Sequence, residues 1–166
     1  SYLKDIGVEK GDRVVAFLPN IPEATIAFLA TISIGAIWSS TSPDFGTNSV
    51  VDRFYQIEPK VLIAVDGYQY NGKSYPKTAI VNEIRSKIPS IEKVILIPYL
   101  DETNDGTEVQ DAILWNKTLE NQSTELIFEA VSFDHPIWVL YSSGTTGIPK
   151  AITPSHGGGL LEHMKY

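Results

Sequence analysis

Ser142, Ser143, Thr145 and Thr146 set four hydroxyls within five positions, interleaved with Gly144, and Gly147 and Lys150 close the run. Glycine imposes no Cβ, so backbone N–H groups in such a turn can converge on an anion. The hydroxyls add donors at a similar radius. Lys150 adds a point charge on a flexible stem, which suits phosphate better than a planar bidentate partner. Pro149 stiffens the chain just before it. The chemistry open to this set is to hold a polyphosphate and to neutralise charge on one that departs.

Known phosphate loops do not fit the spacing. A Walker A loop needs G-x-x-x-x-G-K-[ST], whereas Gly144 and Gly147 are three apart, Pro149 precedes Lys150 and Ala151 follows it. A G-x-G-x-x-G dinucleotide fingerprint follows no apolar run. Ser/Thr/Gly clusters are also ordinary connecting loops. On residue types alone, a phosphate clamp and a flexible polar linker both remain open.

Elements that could position the loop alternate along the chain. Apolar, β-branched runs predict strands at 13–18, 36–40, 60–65, 93–100 and 137–141. A helix is predicted after 20–22, with Asn20 as N-cap, Pro22 in the first turn and Gly35 as the stop. Its residues are apolar nearly all round, which predicts burial. Thr47 is expected to cap a second helix that turns Val50, Val51, Phe54 and Ile57 inward. A third carries Ala79, Ile80, Ile84 and Ile88 and stops at Pro89. Residues 66–76 and 101–110 read as loops, and 112–119 as a short helix. Strands separated by helices imply βαβ units and a mainly parallel sheet flanked by helices, an α/β fold of Rossmann or flavodoxin type in three layers. Ligands of such sheets sit beyond the carboxyl ends of the strands. The loop follows a predicted strand and is expected there.

Composition narrows the function classes. The chain has 166 residues, 43% of them hydrophobic, enough for one α/β domain with a real core. A net charge of -7 argues against nucleic-acid binding through a basic surface. With no cysteine there is no disulfide framework, thiolate nucleophile or thiolate zinc site. His135, His156 and His163 are the only histidines and match no ligand spacing, so no metal site is expected. No run reaches the ~20 apolar residues of a membrane span, and no signal peptide opens the chain. A cytoplasmic location is expected. Both ends read as cut from something longer.

The order of residues in YSSGTTGIPK decides between clamp and linker. It resembles the [YF]-[ST]-S-G-[ST]-T-G-x-P-K signature of the adenylate-forming, AMP-binding enzymes, among them the acyl-CoA synthetases. GDRVVAFLPNIPEATIAFLATISIGAIWSSTSPDFG is similar to the N-terminal portion of the short-chain acyl-CoA synthetases. SPDFG, DGYQYNGK and SHGGGLLEHMK are most similar to the branch that activates acetoacetate. The resemblance implies that residues 1–166 form one α/β subdomain of an AMP-binding domain, with its phosphate-binding loop at 141–150. It implies ATP, Mg²⁺ and coenzyme A as cofactors or co-substrates, and small-molecule substrates generally. Ser142, Ser143, Gly144, Thr145, Thr146, Gly147 and Lys150 would contact the ATP phosphates, with Thr146 and Lys150 catalytic. Lys73 would contact coenzyme A. The catalytic lysine of a C-terminal domain, the base pocket and the acidic Mg²⁺ ligand lie downstream in the family. The remainder of the protein would complete the active site, and the isolated chain is expected to be inactive.

Three positions depart from that pattern. Ala151 follows the Lys where the wider family usually has Gly. Pro154 stands where the branch suggests His, which removes a backbone donor and a titratable ring. Gln69 stands where Arg is frequent in the family, leaving Lys73 as the charge of that loop. Trp38, Trp115 and Trp138 read as packing residues. Asp44 and Phe45 read either as substrate-side groups or as loop anchors, and His156 as a hydrogen-bonding loop residue ahead of a group near the nucleotide. The competing functions are an acetyl- or propionyl-CoA synthetase-like ligase, a nucleotide-binding module without catalysis, and a purely structural domain.

Overall fold

A computed structural model describes residues 2–120, 125–142 and 147–165. The chain runs α1 (Tyr2–Asp5), β1 (Arg13–Phe17), α2 (Pro22–Ser33), β2 (Ile37–Thr41), α3 (Thr47–Phe54), a 3₁₀ turn (Tyr55–Ile57) and β3 (Val61–Val65). It continues through β4 (Gly67–Tyr70), β5 (Lys73–Pro76), α4 (Thr78–Lys87), β6 (Lys93–Ile97), β7 (Ala112–Leu114) and α5 (Trp115–Thr118). The last elements are β8 (Leu140–Ser142), β9 (Lys150–Ile152) and α6 (His156–His163).

Five strands form one parallel sheet in the order β2-β1-β3-β6-β7. Numbered within the sheet this is 2-1-3-4-5, the flavodoxin-type order of the doubly wound class. The central strands are continuous apolar runs because helices cover both faces. Val14, Ala16, Val61, Ile63, Val65, Ile95 and Ile97 face α2, where they meet Ala27 and Ile34. Val15, Phe17, Leu62, Ala64, Val94 and Leu96 face α3 and α4, against Val50, Phe54, Val81 and Ile84. The predicted α/β class and parallel sheet therefore hold, with the helices split between the faces.

Several local expectations are corrected. The N-cap of α2 is Ile21 in extended backbone, not Asn20, and no side chain caps it; Pro22 supplies the helical φ at the first turn. Gly35 does end this helix, at φ +72, with its N–H on Ile32 O and the Ala36 N–H on Thr31 O. α2 is not buried all round: Ile26 and Leu29 are 50% and 54% exposed while Ala27 and Thr31 face the sheet. Thr47 is the first helical residue of α3 rather than its cap, and its hydroxyl donates to Glu83 at 2.9 Å. Ala79 is exposed, and Val81 is the residue α4 buries beside Ile84.

Two segments predicted otherwise are strands. Residues 67–76 form an antiparallel hairpin, turning at Asn71 (φ 50) and Gly72 (φ 72), the two positive φ values of a type I′ turn. Residues 112–114 form β7, the fifth sheet strand, and the short helix follows only at α5. Conversely, 137–141 is no strand of the main sheet. It touches the outer edge of β2 at one parallel bridge, Trp38 to Trp138. It then leaves to form β8, whose partner is the antiparallel β9.

Candidate functional site

The ends of the candidate loop at 141–150 fall within the described residues; Ser143, Gly144, Thr145 and Thr146 lie outside them. Tyr141 pairs with Ala151 and Ser142 with Lys150, so β8 and β9 bring the first hydroxyl and the cation of the motif side by side. Gly147 has φ +100 with open space where a Cβ would stand, a conformation that favours glycine. Lys150 is exposed, and among the described residues its ammonium has neither hydrogen bond nor ion pair.

The sequence predicts that the loop follows a strand of the sheet, whereas this ribbon follows none: β8 pairs only with β9. The switch point of the sheet lies between the carboxyl ends of β1 and β3, whereas the ribbon rests against α3. The Tyr141 phenol donates to the Arg53 carbonyl at 2.6 Å, and the Gln56 amide donates to the Pro149 carbonyl at 3.0 Å. Arg53 O is among the last carbonyls of α3, which lack partners inside the helix. Burial pushes the Tyr141 phenol up to about 12, with the Arg53 charge opposing. It therefore stays a donor throughout the neutral range.

Other candidates resolve more plainly. Lys73 is exposed at the start of β5, opposite Tyr70. Paired residues of a ribbon share a face, so Tyr68, Tyr70, Lys73 and Tyr75 lie on one side, and Gln69 with Ser74 on the other. Tyr68 and Tyr75 stack at 5.2 Å, and the Lys77 ammonium sits 5.3 Å from the Tyr68 ring centroid. Asp44 accepts from Ser42 Oγ at 3.0 Å; the neighbouring Tyr68 phenol, and then Ser42, hold its carboxyl below the usual range, and the Asp44 carboxylate pushes Tyr68 up to about 12. Asp44 thus ties the loop after β2 to the hairpin. Phe45 packs under the Arg53 guanidinium at 5.0 Å. Both take the anchoring alternative. Trp38 is 6% exposed and belongs to the core, while Trp115 and Trp138 pack partly buried against it.

His156 corrects its expectation. It is the first residue of α6 rather than a loop residue, and its Nε2 is buried without a hydrogen-bond partner. Burial, and then the neighbouring His135 ring 5.7 Å away, hold its imidazole below the usual value. Among the described residues no group of three or more His, Asp or Glu could hold a metal ion. No described helix is long and apolar enough to cross a membrane.

Sequence reasoning missed Arg53, Gln56 and Asp66. The first two meet the loop ends across 88 and 93 positions, which no local spacing reveals. Asp66, 3% exposed at the end of β3, accepts from the backbone N–H of Tyr99, Leu100 and Asp101 and from the Asn104 amide. It fixes the exit of β6 beside the hairpin. A polar residue ending a buried strand was the available signal.

A family model described as AMP-binding enzyme matches residues 1–165. Acetoacetyl-CoA synthetase of Gallus gallus is 44% identical, and that of Macaca fascicularis 43%, each over 98% of this chain and 25% of its own length. Acetoacetyl-coenzyme A synthetase of Rhizobium meliloti (strain 1021) is 43% identical over the same shares. Among solved structures, acetoacetyl-CoA synthetase from Streptomyces lividans superposes with a TM-score of 0.89 at 51% identity, covering 98% of this chain and 24% of that one. The chain spans about a quarter of the length of the curated relatives it matches.

Proposed function

The chain belongs to the AMP-binding enzyme family, and from that premise we propose that it serves an ATP-dependent acid–thiol ligase converting acetoacetate, ATP and coenzyme A to acetoacetyl-CoA, AMP and pyrophosphate. The observation that carries this reading is the 51% identity, over nearly the whole chain, to a solved acetoacetyl-CoA synthetase. In the first step a carboxylate oxygen of acetoacetate attacks the α-phosphorus of ATP, and the bond to the β-phosphate oxygen breaks, releasing pyrophosphate. In the second, the coenzyme A sulfur attacks the acyl carbon and AMP leaves.

The part assigned to this chain is to bind the β- and γ-phosphates. Ser142, Ser143, Gly144, Thr145, Thr146 and Gly147 supply donors, and Lys150 supplies charge. Negative charge grows on the departing pyrophosphate, and donors fixed in advance lower that barrier without reorganising. Two observations support the assignment: the pairing of Ser142 with Lys150, and the Lys150 ammonium, which among the described residues makes no ion pair. Thr146 joins Lys150 as a catalytic group on the resemblance of the motif alone. Lys73, charged and exposed beside three tyrosines, is assigned to coenzyme A. Mg²⁺ belongs to the reading only as the ion that accompanies ATP, since no described cluster fits a metal. The remaining parts of a longer protein complete the site, and α2 leaves Ile26 and Leu29 for them to cover. A cytoplasmic location is part of this proposal.

Acid-dependent ATP–pyrophosphate exchange by the complete protein tests this. Acetoacetate is expected to support faster exchange than acetate or propionate, and Lys150→Ala to slow it by about 10²–10³-fold. Exchange favouring acetate or propionate would move the reading to an acetyl- or propionyl-CoA synthetase. Absent exchange with retained ATP binding would leave a nucleotide-binding module.

A further inference from the structure

The phosphate ribbon is held at both stems by one helical stretch, α3 and the 3₁₀ turn Tyr55–Ile57 that continues it. On the β8 side, the Tyr141 phenol donates to Arg53 O at 2.6 Å. On the β9 side, the Gln56 amide donates to Pro149 O at 3.0 Å and to Asp52 O at 2.5 Å, so one side chain joins the helix end to the residue before Lys150. The Arg53 guanidinium stands 5.0 Å from the Phe45 ring and 6.0 Å from the Tyr141 ring, with its Nη1 on Ser49 O and Oγ, both at 2.7 Å. Among the described residues it makes no ion pair. Its charge is spent on two aromatic faces and its own helix, which fixes the Tyr141 ring and thereby the first stem.

We propose that Arg53 and Gln56 are positioning residues of the adenylation half-reaction: α3 and the 3₁₀ turn that continues it set where Ser142 and Lys150 stand, through Tyr141 on one stem and Pro149 on the other. Neither residue needs to touch ATP. The inference rests on the assignment of Lys150 to the ATP phosphates. A two-stranded ribbon of three residues each is marginal alone, so its orientation must come from what it leans on. The helix it leans on is itself fixed. Val50 and Phe54 are fully buried, and Arg13 donates to Ile57 O and Glu58 O where the helical stretch ends. A stem released from that platform moves Lys150 relative to the charge it must meet, and displacements of about 1 Å at such groups can cost up to 10²-fold in rate. Phe45 extends the same contact to the loop after β2, so one cation links two loops.

The test uses the complete protein, ATP–pyrophosphate exchange with acetoacetate, and a double-mutant cycle. Gln56 is exposed, so Gln56→Ala removes the stem bond without touching the core. Gln56→Ala and Arg53→Ala are each expected to lower kcat/KM for ATP by about 10-fold or more, with KM for acetoacetate unchanged, and Arg53→Lys to restore most of the Arg53→Ala loss. In a Lys150→Ala background, Gln56→Ala should cost less than about 2-fold further, because it acts through a group already gone. Multiplicative losses in the cycle, equal rises in KM for ATP and acetoacetate, or silent Gln56 and Arg53 variants beside a damaging Lys150→Ala would overturn the positioning role alone. A silent Lys150→Ala would overturn it together with the assignment on which it rests.

Discussion

Replacing Asp66 by Ala should open a defined patch of backbone while leaving the rest of the sheet closed. The side chain is 3% exposed, and its Oδ1 accepts from Tyr99 N at 2.8 Å and Leu100 N at 2.7 Å. Oδ2 accepts from Asp101 N at 3.1 Å and from the Asn104 amide at 3.3 Å. A bond to a charged acceptor contributes about 1.5–3 kcal/mol. Three backbone bonds would sum well above the real loss, since residues 98–104 lie near the surface and water can reach the freed donors. A net local cost of about 3–4 kcal/mol is the reasonable expectation, which corresponds to amide exchange faster by about 10²–10³-fold. Hydrogen exchange read by mass spectrometry on peptides covering 97–105 measures it. Asp66→Asn keeps one acceptor oxygen and should lose about half as much. Exchange raised by less than about 3-fold there, or raised equally in α2 and β1, would refute the reasoning that Asp66 anchors this segment.

Two further outcomes follow from single side chains and single atoms. The His156 imidazole binds a proton less readily in the folded chain than unfolded, so stability present above pH ~6.5 should fall as pH drops through that value and level off below the depressed one; thermal midpoints from pH 7.5 to 5 should show the fall, and His156→Gln should flatten it. Gly67→Ala places a Cβ 2.5 Å from Leu100 Cδ2 and 2.8 Å from the Tyr75 carbonyl, and the backbone oxygen cannot yield cheaply. A loss of about 1–3 kcal/mol is expected from denaturant unfolding, and a neutral result would mean that the β4–β5 hairpin shifts freely.

The sheet was largely legible because its central strands need no partner to be recognised. The runs at Val14, Leu62 and Val94 are apolar on both sides, which only a doubly covered strand tolerates. β7 was not, since three apolar residues beside an acidic loop fit a helix as well as an edge strand. The Asn71-Gly72 dipeptide carried the hairpin signal, yet its flanks Tyr70 and Lys73 are exposed and lack the alternation that usually supports it. The apolar girth of α2 overstated its burial, because composition records how much surface wants cover and not what supplies it. For the candidate site, residue order singled out the motif and proposed Lys150. The grip of α3 on that motif joins residues roughly ninety positions apart, and such pairings are set by the folded sheet rather than by any local pattern.

The lone bridge at Trp38 and Trp138 has a consequence for how the chain is made. The outer rim of β2 is satisfied by Trp138 and its neighbours, and Ser39 Oγ waits for the carbonyl of Val139, one hundred residues later. On a ribosome adding about 5–20 residues per second, β2 would be finished some 5–20 s before its cover emerges. Through that interval an open strand faces solvent, where unpaired edges invite wrong pairing. The interval ends only when residues 137–139 pair with the backbone of Trp38.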